Sequence, residues 1–282
     1  MSKYLFIMLL VVAYQCTTAQ NDVFNNDEAI TKQLKDHLLK AYDSKDYVSF
    51  ETFQTQLNTI SAAKILTTTK EINYASNTAL YKDGKKSTLI LGKLFDITNN
   101  SKDYVYTATA TVLTSDGVCI TNHHVFEKMA KGYTEKMIGV MDHEGNFYKV
   151  TQVLASSEND DLAVFKIDTK GKKLEGLNLG ELPEIGSAVH VIGHPKNAYY
   201  TYSTGVVSRR YIYAEEMSDR ISITADFAVG SSGGPILNDN GQLIGMVAAT
   251  VSIPDARAVQ MVVKEIIPVS SIKNLIEKIN AK

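Results

Sequence analysis

The spacing of hydrophobic residues changes near residue 88, which divides the chain into a helical first part and a β-rich remainder. Before that point, apolar residues recur every three or four positions, as on one face of an amphipathic helix. The first predicted helix carries Ile30, Leu34, Leu38 and Ala41 behind cap candidates Asn25, Asn26 and Asp27, and the second carries Phe50, Phe53, Leu57 and Ile60 behind Ser44 and Asp46. Residues 25 to about 62 are therefore predicted to be helical, and the Thr-, Asn- and Ser-rich residues 63–80 to be a linker.

From Thr88 onward, apolar residues alternate with polar ones, which is the period of a β-strand. Val105 to Val112, where Thr and Tyr alternate with small apolar residues, is the clearest case. The predicted strands are Thr88–Phe95, Tyr104–Leu113, Val118–Thr121, Met137–Met141, Phe147–Ala155, Leu162–Ile167, Ala188–Gly193, Tyr199–Tyr213, Ile221–Ala225, Gln242–Thr250 and Val259–Val263. Short strands separated by tight Gly-, Asn- and Asp-containing turns indicate an antiparallel barrel or sandwich. A last amphipathic helix is predicted over Ser270 to Ile279.

The N-terminus has the pattern of a secretory signal peptide. Lys3 supplies a positive end, residues 5–13 are almost continuously apolar, and Ala19 follows two small residues. We expect cleavage after Ala19, with Gln20 as the first mature residue and export to the periplasm or the medium. The apolar run is too short to predict a stable membrane span.

The two cysteines bear on this assignment. Cys16 offers a minor lipoprotein alternative, although Tyr14 and Gln15 before it are larger than a lipobox usually tolerates. Cleavage after Ala19 leaves Cys119 alone, so no internal disulfide is expected. We interpret Cys119 as a buried residue of a strand and not as a nucleophile.

A glycine-rich loop, Gly230 to Pro235, is the first candidate for chemistry. Its three glycines allow a tight turn that exposes a serine hydroxyl and gathers backbone N–H groups beside it. The same composition also suits a solvated hairpin turn, so the serine needs a base and an orienting acid elsewhere. His124 follows one predicted strand and Asp161 precedes another, which supplies both in the chain order His, Asp, Ser.

These residues stand in blocks that resemble those of the trypsin-like serine peptidases of the chymotrypsin fold, nearest to the HtrA/Deg and glutamyl-endopeptidase branches. The blocks are Thr121-Asn122-His123-His124-Val125, Asp161-Leu162-Ala163 and Gly230-Ser231-Ser232-Gly233-Gly234-Pro235, with support from 193–195, 204–208 and 243–247. The resemblance covers roughly residues 85–280 and implies two six-stranded antiparallel barrels with a cleft between them. An α/β-hydrolase is disfavoured, because that class needs the order Ser, Asp, His and a strand–serine–helix elbow.

The resemblance implies a role for each matched residue. Ser232 would be the nucleophile, His124 the general base, and Asp161 the acid that orients the imidazole. The oxyanion hole is expected in Gly230, Ser231 and Ser232, with the N–H groups of Gly230 and Ser232 as donors. His123 is expected to face away from the cleft, because neighbouring residues of a strand point to opposite sides.

Departures from the family pattern limit what it implies. Ser231 stands where digestive trypsins carry the Asp that pairs with a newly formed N-terminal amine, so that route of activation is not expected. Ala248, Ala249 and Thr250 occupy the strand expected to line the substrate. Asp226 has the offset of the acid in trypsin's primary pocket, which leaves two interpretations: selection of Lys or Arg, or a structural acid tied to Arg220, Thr224 or a loop amide.

Other ligand classes receive little support from the composition. The formal net charge of −2 does not favour a nucleic-acid partner. His190 and His194 lack companions at zinc-ligand spacing, so structural roles are favoured over a metal site, and no cofactor is expected.

The sequence thus predicts an all-β peptidase domain in residues 81–282, after a signal peptide in 1–19 and a helical extension or removable pro-segment with linker in 20–80. The expected activity is that of an exported serine endopeptidase acting on proteins or peptides through an acyl-enzyme. A catalytically weak or inactive binding protein on the same fold is the alternative. The oligomeric state and cleavage preference are left open.

Overall fold

The computed structural model describes residues 24–68, 71–97, 100–214, 217–255 and 258–282. The predicted signal peptide and Cys16 lie outside these ranges. Within them, no helix has the length and apolar character that a membrane crossing requires.

In the described part of the chain, twelve strands close into two antiparallel barrels of six. The first barrel has the order β1-β2-β3-β6-β5-β4, and the second β10-β11-β12-β9-β8-β7. The first contains β1 (Thr88–Ile97), β2 (Asn100–Val112), β3 (Val118–Thr121), β4 (Tyr133–Met141), β5 (Phe147–Ser157) and β6 (Leu162–Ile167). The second contains β7 (Ala188–Gly193), β8 (Thr201–Tyr213), β9 (Ser218–Ile223), β10 (Pro235–Leu237), β11 (Leu243–Asp255) and β12 (Ala258–Pro268). The predicted fold class is confirmed.

Among the described residues, three helices precede the barrels: α1 (Asp27–Asp43), α2 (Phe50–Gln56) and α3 (Asn77–Lys86). The side chain of Asn26 caps α1, as predicted, by accepting from the Ala29 N–H. The cap of α2 is Ser49 and not the predicted Ser44 or Asp46, because Ser49 is the residue whose hydroxyl reaches the Thr52 N–H.

The second helix is shorter than predicted, and a third helix begins in the stretch that was predicted to be a linker. Residues 57–68 are not helical, and Ile60, predicted on the buried face of the second helix, is exposed. The stretch predicted as a linker contains the start of α3 and packs closely on the barrels. Ile65, for example, is buried and its N–H donates to the Asn280 side chain.

The described part of the chain also contains the α-helices α4 (His123–Phe126), directly after β3, and α5 (Val269–Asn280), after β12. The apolar face predicted for the last helix is confirmed, since Ile272, Leu275, Ile276 and Ile279 are buried. These side chains share one core cluster with residues of both barrels, including Val164 and Leu243. Each such side chain contributes about 1.5–3 kcal/mol relative to exposure, so α5 fastens the two barrels together.

Candidate functional site

His124 lies in the short helix α4, and not at the end of a strand as predicted. Successive residues of a helix are about 100° apart, so His123 and His124 point in different directions. However, His123 also lines the cleft beside His124 and Asp161, so the expectation that it faces away from the cleft is wrong. The His123 side chain is 9% exposed and its Nε2 lies 3.5 Å from Glu127 Oε1, whereas the His124 side chain is 37% exposed. His124 is therefore the more accessible of the two histidines.

Asp161 holds the imidazole of His124 from the loop between β5 and β6. His124 Nδ1 lies 2.9 Å from Asp161 Oδ2, and the His124 backbone N–H donates to Asp161 Oδ1 at 3.0 Å. Asn122 donates from Nδ2 to both the carbonyl oxygen and Oδ2 of Asp161, at 3.1 and 2.9 Å. An anionic Asp161 in this position keeps the proton on Nδ1, so that Nε2 is available as a base.

Asn122 stands in the histidine block, and its contact with Asp161 has no signal in the sequence pattern. Its backbone is extended at the N-cap position of α4, yet its side chain makes no capping hydrogen bond. The amide instead donates to Asp161. The φ of Asp161, +55°, is unusual for a residue other than glycine. Asn122 thus connects the end of β3 to the acid and stabilises its conformation.

Ser232 lies in a turn between β9 and β10, with Gly230 and Gly233 at φ of +101° and +87°. These left-handed conformations are the reason for glycine at both positions. Within the turn, the Gly234 N–H donates to the Ser231 carbonyl at 2.8 Å. Ser232 is partly exposed, whereas its neighbours from Gly230 to Gly234 are buried, which leaves Ser232 as the accessible serine of the loop.

The serine turn is fixed to the other barrel by threonines of β2. The hydroxyl of Thr109 donates to the Gly230 carbonyl, and that of Thr111 donates to the Gly233 carbonyl, both at 2.8 Å. The Thr109 N–H also donates to the Ser232 carbonyl at 2.8 Å. Three carbonyls of the turn are thus directed at the first barrel, and the serine is held against the barrel that carries the histidine and the acid.

The inclusion of Ser231 in the oxyanion hole needs correction. The Ser231 N–H donates to the Ala228 carbonyl at 2.9 Å, so this amide is already engaged within the turn. The N–H groups of Gly230 and Ser232 have no partner among the described residues and remain the available donors. The Ser231 hydroxyl is fully buried, and no hydrogen-bond partner is found for it in the described part of the chain.

The serine turn also lies beside the strand that leads to His124. A Cβ added to Gly233 would lie 2.4 Å from Thr121 Oγ1, and Thr121 is three residues before the histidine. Among the described residues, no hydrogen bond joins the Ser232 hydroxyl to the His124 ring. Such bonds are often long before substrate binds and shorten in the reacting complex.

A cleft of about 370 Å³ adjoins the histidine and the acid. His124, Asp161, Ala248 and Ala249 contribute to its wall, whereas Thr250, also predicted to contact substrate, does not. The side chain of Asp226 is 91% exposed, so it does not form the floor of a closed specificity pocket. Its carboxylate lies 3.6 Å from Lys264 Nζ, an ion-pair partner that the sequence pattern did not indicate.

The end of the histidine helix is supported by two side chains that the sequence did not indicate. The amide of Gln54, in α2, donates to the Phe126 carbonyl. Lys93, on β1, donates from Nζ to the Glu127 carbonyl at 2.9 Å. Burial lowers the pKa of Lys93 to about 8, and the nearby carboxylates of Glu135 and Glu127 partly oppose this shift. The N-terminal extension therefore contacts the element that carries His124.

The remaining candidates have structural surroundings. His190 is buried and lies 2.8 Å from Asp239 Oδ1 and 2.7 Å from the Tyr202 hydroxyl. His194 is fully buried, which lowers its pKa to about 3, and its Nδ1 accepts from the Tyr200 N–H. Cys119 is buried in β3, as predicted, and burial raises the pKa of its thiol. Within the described ranges, no three His, Cys, Asp or Glu side chains form a possible metal site.

Comparison with known proteins matches the family model of the trypsin-like peptidase domain to residues 108–246. A probable periplasmic serine endoprotease, DegP-like, of Chlamydia trachomatis is 36% identical over 149 residues, which are 51% of this chain and 28% of that protein. The chloroplastic Protease Do-like 5 of Arabidopsis thaliana is 34% identical over 145 residues, 48% of this chain and 45% of that protein.

A DegP-like protein of Hahella chejuensis is 31% identical over 144 residues, half of this chain and 29% of the relative. The chain thus spans less than half the length of each of these relatives. The family model begins within β2 and ends within β11, so it includes the histidine, the acid and the serine turn. These matches agree with the two barrels and support a trypsin-like serine peptidase of the HtrA/Deg type.

Proposed function

We propose that the protein is a serine endopeptidase in which Ser232, His124 and Asp161 form the catalytic triad. The observation that carries the proposal is the pairing of His124 Nδ1 with Asp161 beside a turn that presents Ser232. This pairing leaves the imidazole Nε2 facing the cleft as a proton acceptor, which the hydroxyl of a serine nucleophile requires.

In the proposed reaction, Ser232 Oγ attacks the carbonyl carbon of a peptide bond while His124 Nε2 takes the hydroxyl proton. The carbonyl oxygen becomes an anion and receives hydrogen bonds from the N–H groups of Gly230 and Ser232. The imidazolium then gives its proton to the departing amine, which leaves an acyl group on Ser232. Water, deprotonated by His124, releases the acid product and restores the serine.

Two features of the fold support this assignment. Asp161 stabilises the imidazolium and is itself fixed by Asn122, so the pair needs little rearrangement during the reaction. The carbonyls of Gly230 and Gly233 accept from Thr109 and Thr111, which fixes the turn on β2, while the N–H groups of Gly230 and Ser232 have no partner among the described residues. Donors that are fixed before the reaction are worth about 2.7–4 kcal/mol each in similar sites.

A fluorophosphonate probe tests the proposal directly, because it labels only a serine activated by its surroundings. We expect the mature protein to be labelled at Ser232, as located by peptide mass spectrometry. Labelling should vanish in Ser232→Ala and fall at least 100-fold in His124→Ala. Ser231→Ala is the matched control, since Ser231 is buried and is not expected to react.

The same experiment distinguishes the alternative of an inactive binding protein. Absence of labelling in correctly folded wild-type protein, before and after limited proteolysis, would favour that alternative over a peptidase. Cleavage of a peptide library would then define the substrate class if the protein is active. A preference for Lys or Arg that is lost in Asp226→Ala would restore the specificity role that the exposure of Asp226 disfavours.

We also propose that the protein is exported after cleavage behind Ala19. The charged and apolar pattern of residues 1–19 supports export, and two of the relatives described above are named as periplasmic. N-terminal sequencing of the mature protein should give Gln20 as its first residue. An acylated Cys16 at the mature N-terminus would instead establish the lipoprotein alternative.

A further inference from the structure

The start of α1 makes three hydrogen bonds to a single residue of the second barrel, Tyr199. Asn25 donates from Nδ2 to the Tyr199 carbonyl at 2.9 Å, and the Tyr199 N–H donates to Asp27 Oδ1 at 3.3 Å. Thr31 uses its hydroxyl proton on the Asp27 carbonyl, so the Tyr199 hydroxyl is the donor in its 2.9 Å bond to Thr31 Oγ1. The backbone and the side chain of Tyr199 are both held by the N-terminal extension.

Tyr199 belongs to a loop that depends on outside contacts for its shape. Lys196, Asn197 and Tyr200 all have positive φ values, of 48°, 65° and 59°. Such conformations are unfavourable for residues other than glycine and persist only where the surroundings fix them. The bonds from α1 to Tyr199 lie in the middle of this strained segment.

The other side of the same loop contacts the serine turn. The Lys196 N–H donates to the Val229 carbonyl at 2.7 Å. Gly230 lies so close to His194 that an added Cβ would be 2.4 Å from the His194 carbonyl oxygen. The loop from His194 to Tyr200 therefore lies between the N-terminal extension and the peptide that supplies an oxyanion donor.

The bond from Lys196 also determines where that donor points. The peptide between Val229 and Gly230 is trans, so its C=O and N–H are directed to opposite sides. With the Val229 carbonyl turned toward Lys196, the Gly230 N–H must point away from the loop. A rotation of this peptide would break the bond to Lys196 and remove one of the two proposed oxyanion donors.

We propose that Asn25, Asp27 and Thr31 are positioning residues that act through Tyr199 and Lys196 to keep the Gly230 N–H in its oxyanion-binding orientation. The extension is then a permanent part of the peptidase and not a removable pro-segment. This inference rests on the proposed function, because an oxyanion donor has a role only if Ser232 forms an acyl-enzyme.

The test compares the double variant Asn25→Ala/Thr31→Val with the control Asn26→Ala. Asn26 caps α1 through Ala29 and lies in the same turn, but no contact with Tyr199 is found among the described residues. The control therefore destabilises the helix without removing a bond to the loop. Peptide hydrolysis gives kcat and KM, and hydrogen exchange gives the protection of the Lys196 amide.

We expect the double variant to lower kcat about tenfold and to change KM less than about twofold, since oxyanion contacts form mainly in the transition state. Exchange of the Lys196 amide should become about tenfold faster, whereas Asn26→Ala should leave both quantities near their wild-type values. Tyr199→Phe should lower kcat by a smaller factor. Adding Thr31→Val to it should have no further effect, because both changes remove the same hydrogen bond between the Tyr199 hydroxyl and Thr31.

The inference would be overturned if the double variant had the same kcat and the same Lys196 exchange rate as the wild type. An equal loss in Asn26→Ala would also overturn it, because helix stability alone would then explain the result. The exchange measurement needs no activity and separates the two proposals. If wild-type protein is not labelled by the fluorophosphonate, the proposed function fails, while faster exchange in the double variant still supports the link from α1 to the loop.

Discussion

The histidine half of the candidate site is supported by long side chains, whereas the serine half is supported by short threonine side chains and a backbone N–H of one central strand. The last carbonyls around α4 accept from Gln54 and from the buried amine of Lys93. The serine turn instead offers its carbonyls to Thr109 and Thr111 in the centre of β2. Long side chains can move or change charge, but a backbone between two closed barrels has little freedom. We therefore expect the histidine half to be sensitive to pH and to substitutions in the N-terminal extension. The serine half should be sensitive to added side-chain volume.

The largest effect is expected where the serine turn has no spare volume. In Gly233→Ala the new Cβ would lie 2.1 Å from the Thr109 carbonyl oxygen, at a φ of +87°. Overpacking and a left-handed alanine together cost about 4 kcal/mol in the free energy of unfolding, and the displaced serine should lose at least about 100-fold in kcat/KM. Chemical denaturation and peptide hydrolysis measure the two effects.

Gly171→Ala is the matched control for the backbone conformation. Gly171 has a φ of +82°, but nothing lies within 4 Å of the position of its Cβ. It should lose about 1–2 kcal/mol of stability and keep its activity. Equal losses in the two variants would show that the close contact with Thr109 is unimportant.

The next effect tests the charge in the histidine half. Burial lowers the pKa of Lys93 from its ordinary value of 10.5 to about 8, so folding releases a proton between these pH values. Below pH 8 the amine is charged in both states and its burial opposes folding. Stability contributed by this site should rise by roughly 3 kcal/mol as the pH increases from 8 to 10.5.

The difference in unfolding free energy between wild type and Lys93→Met isolates this contribution from other groups that titrate in the same range. Between pH 8 and pH 10.5, the free energy of unfolding of the wild type should rise relative to that of Lys93→Met. Lys128→Met, which alters an exposed lysine next to Glu127, should show no such change. A difference independent of pH would mean that Lys93 has an ordinary pKa.

A third prediction concerns the threonines that fix the serine turn. Thr109→Val and Thr111→Val keep the shape of the side chain but leave a buried carbonyl of Gly230 or Gly233 without its donor. Each should cost about 2 kcal/mol of stability. Activity should fall more in Thr109→Val, because Gly230 supplies a proposed oxyanion donor.

Thr151→Val provides the comparison, since the Thr151 hydroxyl donates to the Lys166 carbonyl at a half-buried position of β5 in the same barrel. Its loss of stability should be smaller and its kcat unchanged. If Thr109→Val were as active as Thr151→Val, the serine turn would not need its bonds to β2.

The residues of the site were more predictable from the sequence than the contacts that hold them. The histidine, acid and serine blocks are local patterns, and the structure brings them to adjoining elements of the two barrels. The alternation of Thr with apolar residues in β2 was visible as well. However, the carbonyls that accept from Thr109 and Thr111 are more than 120 residues away in the sequence, so no local pattern could identify them.

Short elements and tertiary contacts account for the remaining differences. Helix α3 buries only Leu80 and Gly84, which is too few apolar positions for a recognisable period in a polar stretch. The four residues of α4 are too few to distinguish from a strand end by pattern. Strand β11 continues past Thr250 to Asp255 with exposed residues, because pairing with β12 maintains it after burial ends.

The smallest predicted effect tests whether the extension supports the histidine directly. Gln54→Ala removes the donor to the Phe126 carbonyl but leaves Phe53, which packs edge-on against Phe126 at 5.6 Å between ring centroids. We expect a loss of about 1 kcal/mol in stability and a two- to threefold fall in kcat, because the carbonyls at the end of α4 lose one of the two side-chain donors described above. Gln33→Ala is the control: its amide donates from the other extension helix to the Gly145 carbonyl at 3.4 Å, away from the site. Since Lys93 still holds the Glu127 carbonyl, the effect of Gln54→Ala should grow when Lys93→Met is added, beyond the sum of the two single changes. Strictly additive effects on kcat would show that the two side chains support α4 independently.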